Sequence, residues 1–178
     1  MFHNIVIFDL DGTTIDSTHR QATLADGMLN LAAWKEAATH EKIFNDTVLP
    51  LAHQVNKIGK KAYTIICTAR NMSDADFEFL MDNGINVDKI ISRPHGNNEP
   101  DAELKKKQLN SFLSLKQFIG KNAIMFDDAD SVRSTLRKIG ISVIHPNKIM
   151  FDDADSVRST LRKIGITVIH PNKINERL

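Results

Sequence analysis

The chain has 178 residues, 42% of them hydrophobic and 25% charged, with a formal net charge of +1. That is enough for one well-filled core and too little for two ordinary domains, and the composition excludes a disordered chain. The near-neutral balance excludes a global field that would draw the protein to nucleic acid, though not a local basic patch. The single cysteine, Cys67, excludes an intrachain disulfide and fits a reducing compartment. No apolar run approaches the ~20 residues of a membrane span, and the first residues lack the features of a signal peptide. A cytoplasmic protein with no membrane partner is expected.

In chain order, the first apolar run is NIVIFDL at 4–10, which leads into Asp9, Asp11 and Gly12. Residues 17–60 lean helical, with a helix expected at about 20–40 and no clear strand. They read as an insertion forming a small cap over the C-terminal edge of a sheet. AYTIICTA (62–69) is a second strand. A helix follows at about 73–83, started by Ser73 with Asp74 and Asp76 and stopped by DNG at 82–84. Then come a strand in VDKII (87–91), a helix at 101–118, a strand in NAIMFDD (122–128), a helix at 129–139 and a strand in ISVIH (141–145). Strands that are apolar throughout, not alternating, are buried on both faces. Alternation of strand and helix gives the same class: an α/β fold with a Rossmann-like parallel sheet between helical layers.

Residues 125–149 recur at 150–174, with Ser142 against Thr167 as the one difference. Each copy reads as a strand end, an acidic pair, a helix and a strand. Two copies are too few for a solenoid, so a tandem duplication is the reading. Local continuity assigns Asp127–Asp128 to the site and leaves Asp152–Asp153 spare. Loop-closure entropy does not choose between them, since doubling a loop costs only ~0.6 kcal/mol. The spare block, apolar and amphipathic, is expected either to extend the sheet edge or to exchange with a second copy of the chain in a domain swap.

In open parallel sheets, ligands bind at the carboxyl ends of the strands. Those ends carry Asp9, Asp11 and Gly12 in FDLDGT, Thr68 and Arg70 in CTAR, and Asp127 and Asp128 in FDD. Arg93 and a lysine-rich helix start, RPHGNNEPDAELKKK, precede the last of these. Nucleophilic carboxylate, hydroxyl, lysine and metal-binding acids together suit phosphoryl transfer. These motifs, in this order over about residues 3–149, resemble those of the haloacid dehalogenase superfamily. The later half is most similar to the phosphatase domains of phage-type polynucleotide kinase/phosphatases and their stand-alone relatives, without a kinase P-loop.

The resemblance implies residues 1–149 as a phosphatase domain, with 150–174 an extra segment and 175–178 a tail. It implies Asp9 as nucleophile, Asp11 as acid and base, Thr68 as phosphoryl ligand and Lys105 as the neutralising cation. Lys105 is preferred to Lys106 or Lys107 for its D-x-x-x spacing from Asp101. Mg²⁺ is implied on Asp9, Asp127 and Asp128, with Asp11 through its backbone carbonyl. Arg70, Arg93 and Gly12 are candidates for binding substrate, the two arginines equally for structural ion pairs. Trp34 reads as a staple of the cap more readily than as substrate lining. The expected substrate is a small phosphorylated molecule or a nucleic-acid 3′ end, with a polynucleotide 3′-phosphate first. A 5′-nucleotidase and a sugar-phosphate phosphatase are the alternatives within the class. A receiver-like phospho-switch and an inactive protein are the alternatives outside it.

Overall fold

A computed structural model describes residues 4–26, 30–58 and 61–147, together with the isolated positions 159 and 162. In chain order the elements are β1 (Asn4–Phe8), β2 (Ile15–Asp16), α1 (Leu31–Glu36), α2 (His40–Ile43), β3 (Thr47–Val48), α3 (Ala52–Ile58) and β4 (Ala62–Cys67). They continue with α4 (Asp74–Asp82), β5 (Lys89–Ile91), α5 (Asp101–Leu113), β6 (Asn122–Phe126), α6 (Asp130–Arg137) and β7 (Ser142–Ile144). Five strands form one parallel sheet in the order β5-β4-β1-β6-β7, while β2 and β3 pair as an antiparallel ribbon.

Among the sheet strands the order in chain terms is third, second, first, fourth, fifth. That is the Rossmann arrangement, whereas receivers are ordered second, first, third, fourth, fifth. Topology therefore removes the receiver-like reading. The chain leaves β1 towards β4 and later returns to β6 on its other side, so the switch point lies at β1.

The strands form here because their Ile and Val residues suit a pleated surface buried on both sides. Val6, Phe8, Ile66 and Phe126 pack into one apolar layer with Val55 of α3 and Phe79 and Leu80 of α4. Ile5, Ile7, Ile65, Cys67 and Met125 pack into the other with Leu109 of α5 and Val132 and Leu136 of α6. Each fully buried Ile or Phe contributes roughly 1.5–3 kcal/mol. This two-layer burial holds the strand ends rigidly enough to position a site. Helix α4 starts with a capping box between Ser73 and Asp76, as the sequence signals suggested.

The segment read as one helix at 20–40 is instead a short 3-10 turn at Thr18–Arg20 and two short helices, α1 and α2. Two side-chain caps divide it: Asn30 accepts from the Ala33 amide at 3.2 Å, and Thr39 from the Lys42 amide at 3.4 Å. The segment is also closed by the ribbon β2–β3, which the sequence did not announce. Helix α3, within the range assigned to the cap, packs against the sheet. The duplicated block at 150–174 lies outside the described residues except for positions 159 and 162, and with it both expected outlets for it.

Candidate active site

The sheet ladder runs one residue past three neighbouring strands. The Asp9 amide donates to the Phe126 carbonyl at 2.9 Å, Thr68 to Ile91 at 2.9 Å and Asp127 to Ile144 at 3.2 Å. Strands lie ~4.8 Å apart, so Asp9 on the central strand stands between Thr68 and Asp127. All three are buried, at 6%, 1% and 0% exposure.

Lys105 comes up from α5 beneath them. Its Nζ lies 2.7 Å from Asp9 Oδ1 and 2.8 Å from Asp127 Oδ2, with the residue 2% exposed. Its neighbours point elsewhere: Lys106 pairs with Glu103 and Lys107 with Glu99, both at exposed positions. Helical spacing explains the difference, since Lys105 shares the buried face of α5 with Leu109. Burial alone would lower its pKa, yet Asp9 and Asp127 hold it above the usual lysine range.

Asp9, Asp127 and Asp128 each offer a carboxylate oxygen, all within 4.8 Å of one another. One lysine faces these three acids. Burial, reinforced by the charge of Asp127, pushes the Asp9 carboxyl up to about 8 even with Lys105 pulling it down. The cluster is thus short of positive charge, and an all-oxygen set of carboxylates is the donor chemistry that a hard divalent cation such as Mg²⁺ takes. The residues fit such an ion. Gly12 keeps the cluster open: it sits at φ +71°, and a Cβ there would come within 2.5 Å of Asp128 Oδ2. Arg133 fixes the loop from below by donating to the carbonyls of Asp127 and Asp128.

Asp11 is differently placed. Ser17 Oγ donates to its Oδ1 at 2.5 Å, and Arg70 grips both oxygens, Nε to Oδ2 at 3.1 Å. Its carboxylate is not part of the three-acid cluster. Thr68 Oγ1 accepts from the Arg70 amide at 3.1 Å, which leaves its own proton to donate into the cavity it lines.

Both arginines line that cavity, but their donors are taken up by protein. Arg70 donates Nη1 to Asp76 at 2.5 Å and also reaches Asp46 at 3.4–3.5 Å. Arg93 donates to the carbonyls of Ala69 at 2.6 Å and Glu99 at 2.7 Å and to the Asp101 carboxylate at 2.6 Å, securing the loop before α5. Trp34, 9% exposed, lines the cavity as well as packing within the cap segment.

Sequence reasoning missed a buried network above the site. Asp46 receives Arg20 side-on, Nε to Oδ1 and Nη2 to Oδ2, each at 2.8 Å, and His19 Nε2 lies 2.9 Å from Oδ1. Arg70 then links Asp46 to Asp11 and Asp76, tying cap to sheet. The partners are 24 and 26 residues apart in sequence, and no motif or spacing joins them. An open cavity of about 400 Å³ reaches from Asp9 and Lys105 to Arg20 and Trp34.

Three comparisons bear on this geometry. The family model described as bacteriophage T5 5′-deoxynucleotidase matches residues 1–149. A 5′-deoxynucleotidase of Escherichia phage T5 is 44% identical over 86 residues, covering 46% of this chain and 35% of that protein. The match thus spans about a third of the length of that curated relative. A haloacid dehalogenase-like hydrolase from Streptococcus pneumoniae superposes with a TM-score of 0.62 at 14% identity, covering 98% of this chain and 97% of its own. The Pnkp1/Rnl/Hen1 RNA repair complex contains a chain that superposes with a TM-score of 0.55 at 19% identity, covering 81% of this chain and 42% of that one. These structural likenesses establish the haloacid dehalogenase-like fold.

Proposed function

The chain belongs to the bacteriophage T5 5′-deoxynucleotidase family and is a phosphatase of the haloacid dehalogenase type, and from that premise we propose that it hydrolyses deoxynucleoside 5′-monophosphates with Mg²⁺ through an aspartyl-phosphate at Asp9. The observation that carries the reading is the buried set Asp9–Lys105–Asp127, whose Asp9 and Lys105 line a cavity of nucleotide size.

Asp9, Asp127 and Asp128 would hold the ion, which supplies positive charge against the phosphoryl oxygens and the acids around them. Asp9 Oδ attacks phosphorus as the bond to the leaving oxygen breaks, and Asp11, protonated and turned away from Arg70, gives that oxygen its proton. Water then attacks the aspartyl-phosphate, Asp11 takes the proton back, and Asp9 is released with inorganic phosphate. Lys105 holds Asp9 and Asp127 in place throughout, and the Thr68 hydroxyl donates to a phosphoryl oxygen.

The cap favours a small substrate. Lys35 Nζ reaches Asn98 Oδ1 at 3.4 Å, bridging the cap to the loop on the other wall of the cavity. A polynucleotide 3′-phosphate, first among the substrates expected from sequence, would require that bridge to open.

The reading is tested by quenching turnover of dTMP in acid and mapping the phosphorylated peptide. Phosphate on the Asp9 peptide is expected, and its absence from a protein that turns over overturns the covalent route.

A further inference from the structure

The cavity has two ends. Asp9, Thr68 and Lys105 make the phosphoryl end, while Arg20 and Trp34 stand at the other, joined to the first through the relay Asp11–Arg70–Asp46–Arg20. Arg20 has a side chain 1% exposed. Two of its three nitrogens are spent on Asp46, and its guanidinium carbon lies 4.3 Å from the centroid of the Trp34 ring. Among the described residues its third nitrogen, Nη1, has no hydrogen-bond partner. A buried guanidinium donor left unpaired is costly, and this one belongs to a residue that lines the cavity.

The charge around it tells which acceptor Nη1 would donate to. Two guanidiniums, Arg20 and Arg70, face three carboxylates, Asp11, Asp46 and Asp76. His19 is the other titratable group on Asp46. The network as a whole is not cationic, so a second phosphate or a phosphodiester gains nothing here. A neutral, planar acceptor beside an aromatic ring suits the site: a ring carbonyl of a nucleobase.

Building on the deoxynucleotide reading, we propose that Arg20 is a specificity-determining residue, its Nη1–H donating to a ring carbonyl oxygen of the substrate base at the cap end of the cavity. Thymine, uracil, cytosine, guanine and hypoxanthine carry such an oxygen, and adenine does not. A site built around a buried donor rejects an analogue that leaves it unpaired.

The test compares kcat/KM of the wild-type chain for dIMP, dGMP, dTMP, dAMP and the base-free 2-deoxyribose 5-phosphate, with Mg²⁺ present. The base carbonyl is expected to favour dIMP over dAMP by about tenfold to a hundredfold, the range of a hydrogen bond to a charged group. Arg20→Lys, which keeps a cation against Asp46, is expected to flatten that preference, read as the ratio of kcat/KM for dIMP to that for dAMP. Equal wild-type use of dIMP and dAMP overturns the proposal without needing the variant. An Arg20→Lys loss shared by all substrates, the base-free one included, overturns it too, because Arg20 then serves only to secure Asp46. Hydrolysis of p-nitrophenyl phosphate with none of any nucleotide overturns the deoxynucleotide reading itself, and this proposal with it.

Discussion

Replacing Asp9 with Asn should stabilise the metal-free protein at neutral pH while abolishing its activity. In the fold the Asp9 carboxyl is pushed up to about 8 by burial and by Asp127, against an ordinary 3.8. The folded protein therefore keeps a proton that the unfolded chain releases, and stability is lost as pH rises from about 4 to about 8. Each pH unit in that window is worth ~1.36 kcal/mol. Asn mimics the neutral form and has nothing to lose, so its advantage over wild type should grow by roughly 4 kcal/mol between pH 4.5 and 7.5. For a chain of this size that is on the order of 10 °C in Tm. Thermal melts of both proteins in EDTA at the two pH values measure it. Adding Mg²⁺ at pH 7.5 should then raise the wild-type Tm and leave Asp9→Asn nearly where it was, because a ligand stabilises only the fold that binds it. An advantage for Asn that does not grow with pH would refute the claim that the acid cluster lacks a cation.

Asp127→Asn should abolish turnover and Asp152→Asn should leave it near wild type, since Asp127 is the acid bonded to Lys105; phosphate release from the two variants decides it. Gly12→Ala forces a Cβ against Asp128 Oδ2 at φ +71°, with an expected loss of ~1–2 kcal/mol in urea unfolding and a rise of about tenfold or more in the Mg²⁺ concentration needed for activity. Asp46→Asn strips the paired acid from the buried Arg20 and Arg70; breaking such a pair costs about 3–5 kcal/mol, again read from urea unfolding.

The layered sheet was legible because NIVIF, AYTIIC and NAIMF are apolar in unbroken or nearly unbroken runs, without the alternation of a half-exposed strand, as two-sided burial requires. Asp9, Thr68 and Asp127 were legible for the same reason: each is the first polar residue after such a run, and parallel strands bring those positions side by side. Lys105 was preferred to Lys106 and Lys107 for its D-x-x-x spacing from Asp101; that it shares a buried helix face with Leu109 came from the fold. The internal structure of the segment read as a cap was not legible. Its helices α1 and α2 are four to six residues long, too short for an apolar period, and are set by the caps Asn30 and Thr39. Asp46, Arg20 and Arg70 meet only in three dimensions, and nothing in their spacing announces a bidentate pair. Asp76 read as a helix cap and is one, but its second oxygen holds Arg70, a role that depends on where β4 ends relative to α4.

Phosphate release from a deoxynucleoside 5′-monophosphate, measured with Mg²⁺ and in EDTA beside a 3′-phosphorylated oligonucleotide, tests the central claim most directly. The account predicts Mg²⁺-dependent release from the mononucleotide, at a kcat/KM well above that for the oligonucleotide. Release that persists in EDTA, or that comes from the oligonucleotide alone, would contradict it.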